Sequence, residues 1–465
     1  VSAATSIWQP PLARLTLGLV LVVVATAFEA LAVATILPKT TAALGGLAWY
    51  GWTFSAFMLA NLVGITVGGN ATDRHGPARP FLAGTVLFAG GLVVSGLAPS
   101  MVLIVGGRTS QGFGAGLLSA VAYAVIARAY AVDLQPRMLA TLSSAWVVPA
   151  LVGPGVAGVI AAHAGWRWVF LGLAPLPALA ALLVVPALRE LPGDAAAPDG
   201  GSRTRTALHL ALGATAALAG LGLQRLWVAL ALVVVGSAVA LPALRRLLPD
   251  GTLRARAGLP AAVATMGLLN FAFFGTEAFV PLAIVEVRGA SVMLTGLSLT
   301  AAALTWTAGA WIQVRLATRV AHRLVIVTGL GILGGGIAGT IALLAPGVPT
   351  WTAVAAWAIA GLGMGLAFTT TSAAILAAAP PGQEGAASAS LQLAQVLGAA
   401  LATGVGGAIV AAPFAGAPPA RGIGVVDALM LVGLGAAIWA ARGVGSSSAS
   451  PVQSAASDRG SAAST

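Results

Sequence analysis

The sequence predicts an all-α integral membrane protein of about fourteen transmembrane helices with both termini on the cytoplasmic side. Three observations carry that expectation. Only 8% of the 465 residues are charged and 58% are hydrophobic, with a mean hydropathy of +0.97, whereas soluble domains carry roughly 25% charge. Apolar runs of about twenty residues recur from Arg14 to Ala441, each long enough at ~1.5 Å per residue to cross a ~30 Å hydrocarbon core. The Lys and Arg residues sit singly or in pairs between those runs, the pattern of topogenic charge.

That distribution also excludes other classes. A net charge of +11 would suit nucleic acid only if it gathered on one basic face. The absence of Cys removes disulfides, thiolate metal sites and a cysteine nucleophile. His75, His163, His209 and His322 lack the spacing of zinc ligands. The first apolar run is too long for a signal-peptide core and reads as a retained span. A phosphate loop needs a Lys after Gly, but the sole Lys, Lys39, follows Pro38. Any transport must therefore draw on an ion gradient or the substrate's own gradient, with no cofactor.

The elements follow in order from the breaks, which fall near Lys39, 73–80, Pro99, 133–137, Trp166, 189–205, Gln224, 245–256, Arg288, 319–323, Pro346, 380–384 and 413–421. With the N-terminus inside, only Lys39, Arg167, Arg225, Arg288 and Arg421 face outward; Arg108 stays within the membrane, and the other cations face inward. Residues 14–189 form an N-terminal six-helix half and 258–442 a C-terminal one. Between them, 190–257 holds cytoplasmic linkers and two extra spans, and 443–465 is a Ser/Ala/Gly-rich tail expected to be disordered.

A repeat relates the halves. Phe113-Gly-Ala-Gly-Leu117 returns as Leu362-Gly-Met-Gly-Leu366, 249 residues later, and Gly64 to Gly76 lies opposite Gly309 to Ala321 at 245. Asp73-Arg74 then corresponds to Thr318-Arg319, a decayed copy. Similar offsets at similar span positions predict parallel repeats, although a composition so rich in Gly and Ala can echo itself by chance.

An ionisable side chain at mid-membrane costs at least ~2.5 kcal/mol, so each one calls for a function. Counted from the outer ends of their spans, Glu29 lies ~14 Å deep, Arg108 ~12 Å and Glu277 ~16 Å, one shared layer. Two acids and an Arg suit proton coupling, because the Arg keeps a carboxylate ionised until substrate or conformation displaces it. A static ion pair that fixes helix packing is the alternative. Glu286 reads as a rim residue and Glu384 as favouring a helix N-terminus.

Four segments resemble the major facilitator superfamily, in particular its fourteen-span drug:proton antiporter branch. Gly69-Asn-Ala-Thr-Asp73-Arg74-His-Gly76-Pro-Ala-Arg79 is similar to that superfamily's loop signature between spans two and three, with Ala71 at its Leu position. The resemblance implies that these residues latch the cytoplasmic face and release it during re-orientation. Arg108-Thr-Ser-Gln111-Gly112-Phe-Gly114 resembles the fourth-span motif, whose buried Arg is implicated in proton transfer. Gly153-Pro154-Gly155-Val156-Ala157-Gly158 resembles the span-five antiporter motif, with Ala157 in place of one Gly, and implies export. In span one, Glu29 stands where the branch has Asp, and Pro38 matches its Pro; the Thr that follows the Asp is absent. Gly165-Trp-Arg-Trp-Val-Phe170 is also typical of the branch.

The resulting expectation is a major facilitator fold exporting lipophilic or cationic small molecules, such as drugs or secondary metabolites, in exchange for protons. It would work as a monomer in the lipid bilayer of a bacterial inner (plasma) membrane, with no nucleic-acid partner. Glu29 would carry the proton, Arg108 would be its electrostatic partner, and Glu277 would bind a proton or a cationic substrate. Gln111, Trp146, Asn270, Trp306 and Gln313 would line the cavity. Export of an endogenous lipid or metabolite and uptake of a nutrient are alternatives within the superfamily. A membrane-embedded enzyme would need a reactive His or acidic cluster at a membrane face, which the sequence lacks.

Overall fold

The computed structural model describes residues 6–10, 12–131, 133–193, 200–316, 319–380, 384–412 and 419–445. The helices are α1 (Leu12–Leu44), α2 (Tyr50–His75), α3 (Ala78–Leu97), α4 (Met101–Ala129), α5 (Val147–His163, after a short helix Gln135–Ser144), α6 (Arg167–Leu188), α7 (Gly201–Leu221), α8 (Leu226–Leu247), α9 (Leu259–Glu277), α10 (Val292–Leu316), α11 (His322–Leu343), α12 (Thr352–Ala377), α13 (Glu384–Ala411) and α14 (Pro419–Ala441). Helices close their own backbone hydrogen bonds, which lipid cannot satisfy for them. Among the described residues, thirteen segments are long and apolar enough to span a membrane. The remaining helix, α7, has span length but carries Arg203, Arg205 and His209 in its first half. Most of the expected tail, and Thr318 of the decayed repeat, lie outside the described residues.

One boundary differs from expectation. The break placed near Lys39 does not occur, because α1 runs through Pro38 and Lys39 to Leu44. The Lys39 ammonium donates to the Ala161 carbonyl of α5. An ammonium on a flexible stem can reach such an acceptor from within a helix, so a charge does not by itself mark a helix end.

The repeat is geometric as well as textual. A methyl group on Gly112 of α4 would collide with the Phe57 carbonyl of α2, and one on Gly116 with that of Asn61. In the second half, Gly361 and Gly365 of α12 press in the same way on the carbonyls of Ala302 and Trp306 of α10. Each partner lies at the offset read from sequence, 249 on α12 and 245 on α10. Gly114 against Gly84 and Gly363 against Gly329 repeat the match for α3–α4 and α11–α12. Small residues let these helices approach backbone to backbone, where dispersion substitutes for a hydrophobic drive that lipid does not supply.

The halves meet along two seams. Ser55 of α2 donates toward the Ala400 carbonyl at 3.0 Å and pairs with Thr403 Oγ1 of α13 at 3.0 Å. On the other side, Gly296 of α10 lies against the Pro154 carbonyl of α5, and Thr300 reaches the Leu151 carbonyl at 3.4 Å. The Tyr50 hydroxyl donates to the Ala278 carbonyl at 2.9 Å. Tyr50 opens α2 and Thr403 lies near the end of α13, so with the N-terminus inside, as the charge distribution leads one to expect, the α2–α13 seam lies on the outer side. The extra pair α7–α8 covers it: Leu210, Ala214 and Leu218 of α7 pack with Leu59, Leu62, Leu393 and Leu397. The opposite flank of α8 exposes Trp227, Val234 and Val235, a face suited to lipid.

A Cβ on Gly51 would lie 2.6 Å from Gly407 Cα, so Gly51→Val is expected to hold the outer seam open. The chain has no Cys, which makes a single Thr403→Cys reporter clean. Labelling from outside by a membrane-impermeant maleimide should be about tenfold faster in the Gly51→Val background, the equivalent of ~1.4 kcal/mol. Equal rates in both backgrounds would show that this seam does not gate access.

Candidate functional site

Ser100 caps α4, its hydroxyl accepting from Leu103 N at 3.5 Å, and two turns later the helix delivers Arg108 into the protein interior. The close α2–α4 approach at Gly112 sets Phe57 beneath the guanidinium, whose Cζ lies 4.2 Å from the ring centroid. Arg108 Nε donates to the Thr53 carbonyl at 3.0 Å, and one terminal nitrogen donates to Gln111 Oε1 at 2.7 Å. Gln111 Nε2 in turn donates to Ser95 Oγ of α3 at 3.1 Å. The same terminal nitrogen of Arg108 forms an ion pair with Glu29 of α1.

Glu29 is 0% exposed and Arg108 3%. The structure thus brings together two of the three deep charges expected from sequence, and four helices of the first half converge on them. Among the described residues no hydrogen-bond donor reaches Glu29 Oε2. The arrangement can hold a carboxylate ionised against one cation and release it when that cation is drawn away, because protonation removes the cost of burying the charge.

Glu277 stands apart from this cluster. It is half-buried at the end of α9 and has no hydrogen bond or ion pair among the described residues. The repeat explains why. Glu277 lies 248 residues after Glu29, and the residue 249 after Arg108 is Trp357. Trp357 is fully buried and stacks on Phe273, with centroids 5.1 Å apart at 24°. Trp306 meets Phe273 edge-on at 5.3 Å and Phe368 at 5.4 Å. Where the first half has an Arg, the second half therefore has an aromatic cluster that includes Phe273, one helical turn before Glu277.

The remaining expected residues divide. Gln111 and Asn270, expected on a cavity wall, are fully buried: Gln111 holds Arg108, and Asn270 Nδ2 bonds its own helix at Met266 O, 2.8 Å away. Gln313 is also buried, Trp306 is half-buried and Trp146 is exposed. In the span-five motif, a Cβ on Gly153 would lie 3.6 Å from the ring of Phe28, which precedes Glu29, Pro154 meets Gly296, and a Cβ on Gly158 would lie 3.9 Å from Met293 Cα. The motif thus lines both the α1–α5 contact and the seam between the halves.

At the cytoplasmic turn, Asp73 pairs with Arg128 of α4 at 2.6 Å, a partner within the same half. Gly76 adopts φ +78°, and a Cβ there would lie 2.9 Å from the Leu191 carbonyl, so the segment after α6 lies over the α2–α3 turn. Gly69 has open space around it, and Arg74 and Arg79 are exposed. Arg79, His75 and Arg189 line a cavity of about 380 Å³ beneath that segment.

Sequence reasoning missed one deep charge. Asp427 of α14 is 1% exposed and its Oδ2 accepts from Thr340 Oγ1 of α11 at 3.0 Å. Its position six residues past Arg421 was a usable signal, since ~1.5 Å per residue already places it ~9 Å beyond that charge.

A bundle of two repeated six-helix halves, closed over internal charges and with the pair α7–α8 between them, is the architecture of a multi-pass membrane transporter. The chain belongs to the Major Facilitator Superfamily, whose family model matches residues 17–403. It is 29% identical over 399 residues to a protein of Mycobacterium tuberculosis named "Probable multidrug-efflux transporter", covering 81% of this chain and 83% of that one. It is 27% identical over 174 residues to Multidrug resistance protein 3 of Bacillus subtilis, covering 37% of this chain and 34% of the relative. Among solved structures, a bacterial homolog of the human lysosomal transporter Spinster, inward-facing and unoccupied, superposes with a TM-score of 0.68 at 15% identity, over 94% of this chain and 98% of that one.

Proposed function

We propose that this transporter exports lipophilic or cationic small molecules, drugs or secondary metabolites, in exchange for protons across a bacterial plasma membrane. The observation that carries the reading is the Glu29–Arg108 ion pair, buried where helices of one half converge and adjoined by the Pro154-containing span-five motif. A fixed structural pair at this depth would be an expensive way to hold helices that glycine contacts already hold. A displaceable pair exchanges a proton each time substrate or re-orientation separates its members. Glu277, free of any internal cation, supplies an attachment point for a positively charged substrate, and the neighbouring aromatic rings supply apolar and cation–π contact. The multidrug names of the similar bacterial proteins support the same substrate class.

The test is a susceptibility and dye-accumulation panel in bacteria with the gene deleted and overexpressed, paired with everted and right-side-out vesicles. Overexpression should lower accumulation of several unrelated lipophilic compounds, and a proton gradient should drive their uptake into everted vesicles. Uptake confined to right-side-out vesicles would overturn export. Transport indifferent to a collapsed proton gradient would overturn coupling.

A further inference from the structure

Asp427 belongs to none of the groups invoked so far, and its surroundings are unusual for a carboxylate. It is 1% exposed between α9, α11, α13 and the π-turn Ala283–Val287 that follows α9. The charged residues on these elements are Glu277 on α9, Glu286 in the turn, His322 and Arg323 at the inner end of α11, Glu384 at the inner end of α13, and Arg421 on its own helix. Among the described residues, no ion pair joins Asp427 to a cation. An ionised carboxylate in such a place carries a heavy desolvation cost that the neutral acid does not.

The hydrogen bonds around it accommodate both forms. Thr340 Oγ1 lies 2.7 Å from the Ile337 carbonyl and 3.0 Å from Asp427 Oδ2. A hydroxyl has one hydrogen and two lone pairs. When the carboxyl is neutral, its O–H donates to Thr340 Oγ1 while Thr340 donates to Ile337. When it is ionised, Thr340 turns its hydrogen to Oδ2, and the Ile337 carbonyl keeps its place in the helix ladder. Neither form requires the backbone to move. On the other side, Asp427 Oδ1 and Thr276 Oγ1 are both buried without a hydrogen bond. Thr276 directly precedes Glu277, the acid of α9 that is only half-buried.

We propose that Asp427 is a second proton-binding carboxyl, set in the C-terminal half behind Glu277 and separate from the Glu29–Arg108 pair. Its role in coupling rests on the proton-exchange reading above; its occupancy by a proton does not.

The test uses the full chain reconstituted in liposomes and read by infrared difference spectroscopy through a pH titration, without substrate. The wild type should show a protonated-carboxyl C=O band near neutral pH that is lost in Asp427→Asn and retained in Glu29→Gln. Thr340→Val, which removes the hydroxyl but keeps the shape, should retain the band and shift its frequency. A band undiminished in Asp427→Asn overturns the proposal, as does an unshifted one in Thr340→Val. In a second arm, proton-driven ethidium efflux by Asp427→Asn should follow a shallower pH profile than wild type, and an unchanged profile would remove Asp427 from coupling. Failure of the wild type to move ethidium would instead count against the exporter reading and leave the infrared result standing.

Discussion

Glu29→Gln should abolish proton-driven efflux while the protein still inserts and folds, and Arg108→Met should do the same at a greater cost in stability. The asymmetry follows from what each change leaves behind. Gln at 29 removes the charge that neutralises Arg108, but the guanidinium keeps the Thr53 carbonyl, the Gln111 amide oxygen and the Phe57 ring. Met at 108 leaves Glu29 with no donor at all in an apolar interior. Breaking a buried pair from one side typically costs about 3–5 kcal/mol, whereas replacing both members with apolar or neutral groups is often near neutral. The double variant Glu29→Gln/Arg108→Met should therefore melt closer to wild type than Arg108→Met does, yet transport nothing against a gradient. Thermal melting of the purified protein, paired with efflux in vesicles, checks both halves of the expectation. Undiminished efflux by well-expressed Glu29→Gln would remove Glu29 from coupling, and additive losses in the double variant would mean that the two side chains act independently.

How much of this was legible beforehand depends on which interactions leave a one-dimensional trace. The membrane class was legible because lipid forbids charge over whole spans, so each surviving Glu or Arg stands out against an apolar background. The repeat was legible because backbone contact demands Gly at fixed positions, and Gly112, Gly114 and Gly116 reappear as Gly361, Gly363 and Gly365. That Glu29 and Arg108 share a layer could be counted from helical rise; that they touch could not, since contact depends on helix rotation. The same limit hid the partner of Asp73, which is Arg128 and lies 55 residues away. Gln111 and Asn270 were expected on a cavity wall, and the sequence did not show that Gln111 holds Arg108 or that Asn270 bonds its own helix, because a polar side chain in an apolar span looks alike whatever it faces. Asp427 was missed although it lies eight residues into α14, which starts at Pro419.

The second half of the chain carries the other large expected effect. If Glu277 is free because Trp357 stands where the first half has Arg108, then supplying the missing cation should silence it. Glu277→Gln should reduce efflux of cationic dyes by about tenfold or more, the worth of one charge-assisted contact in a half-buried site. Neutral lipophilic substrates should be little affected, because they carry no charge for Glu277 to hold. Trp357→Arg should reproduce the same selectivity from the opposite direction, by occupying Glu277 internally. Trp357→Phe should retain cation efflux, since it keeps an aromatic ring to stack on Phe273. Size-exclusion profiles of the detergent-solubilised variants separate loss of folding from loss of selectivity. Equal loss for neutral and cationic substrates in Glu277→Gln would contradict the assignment of Glu277 as a cation contact. A folded Trp357→Arg that exports cations as well as wild type would show that the two halves, though built alike, do not present their acids to the same chemistry.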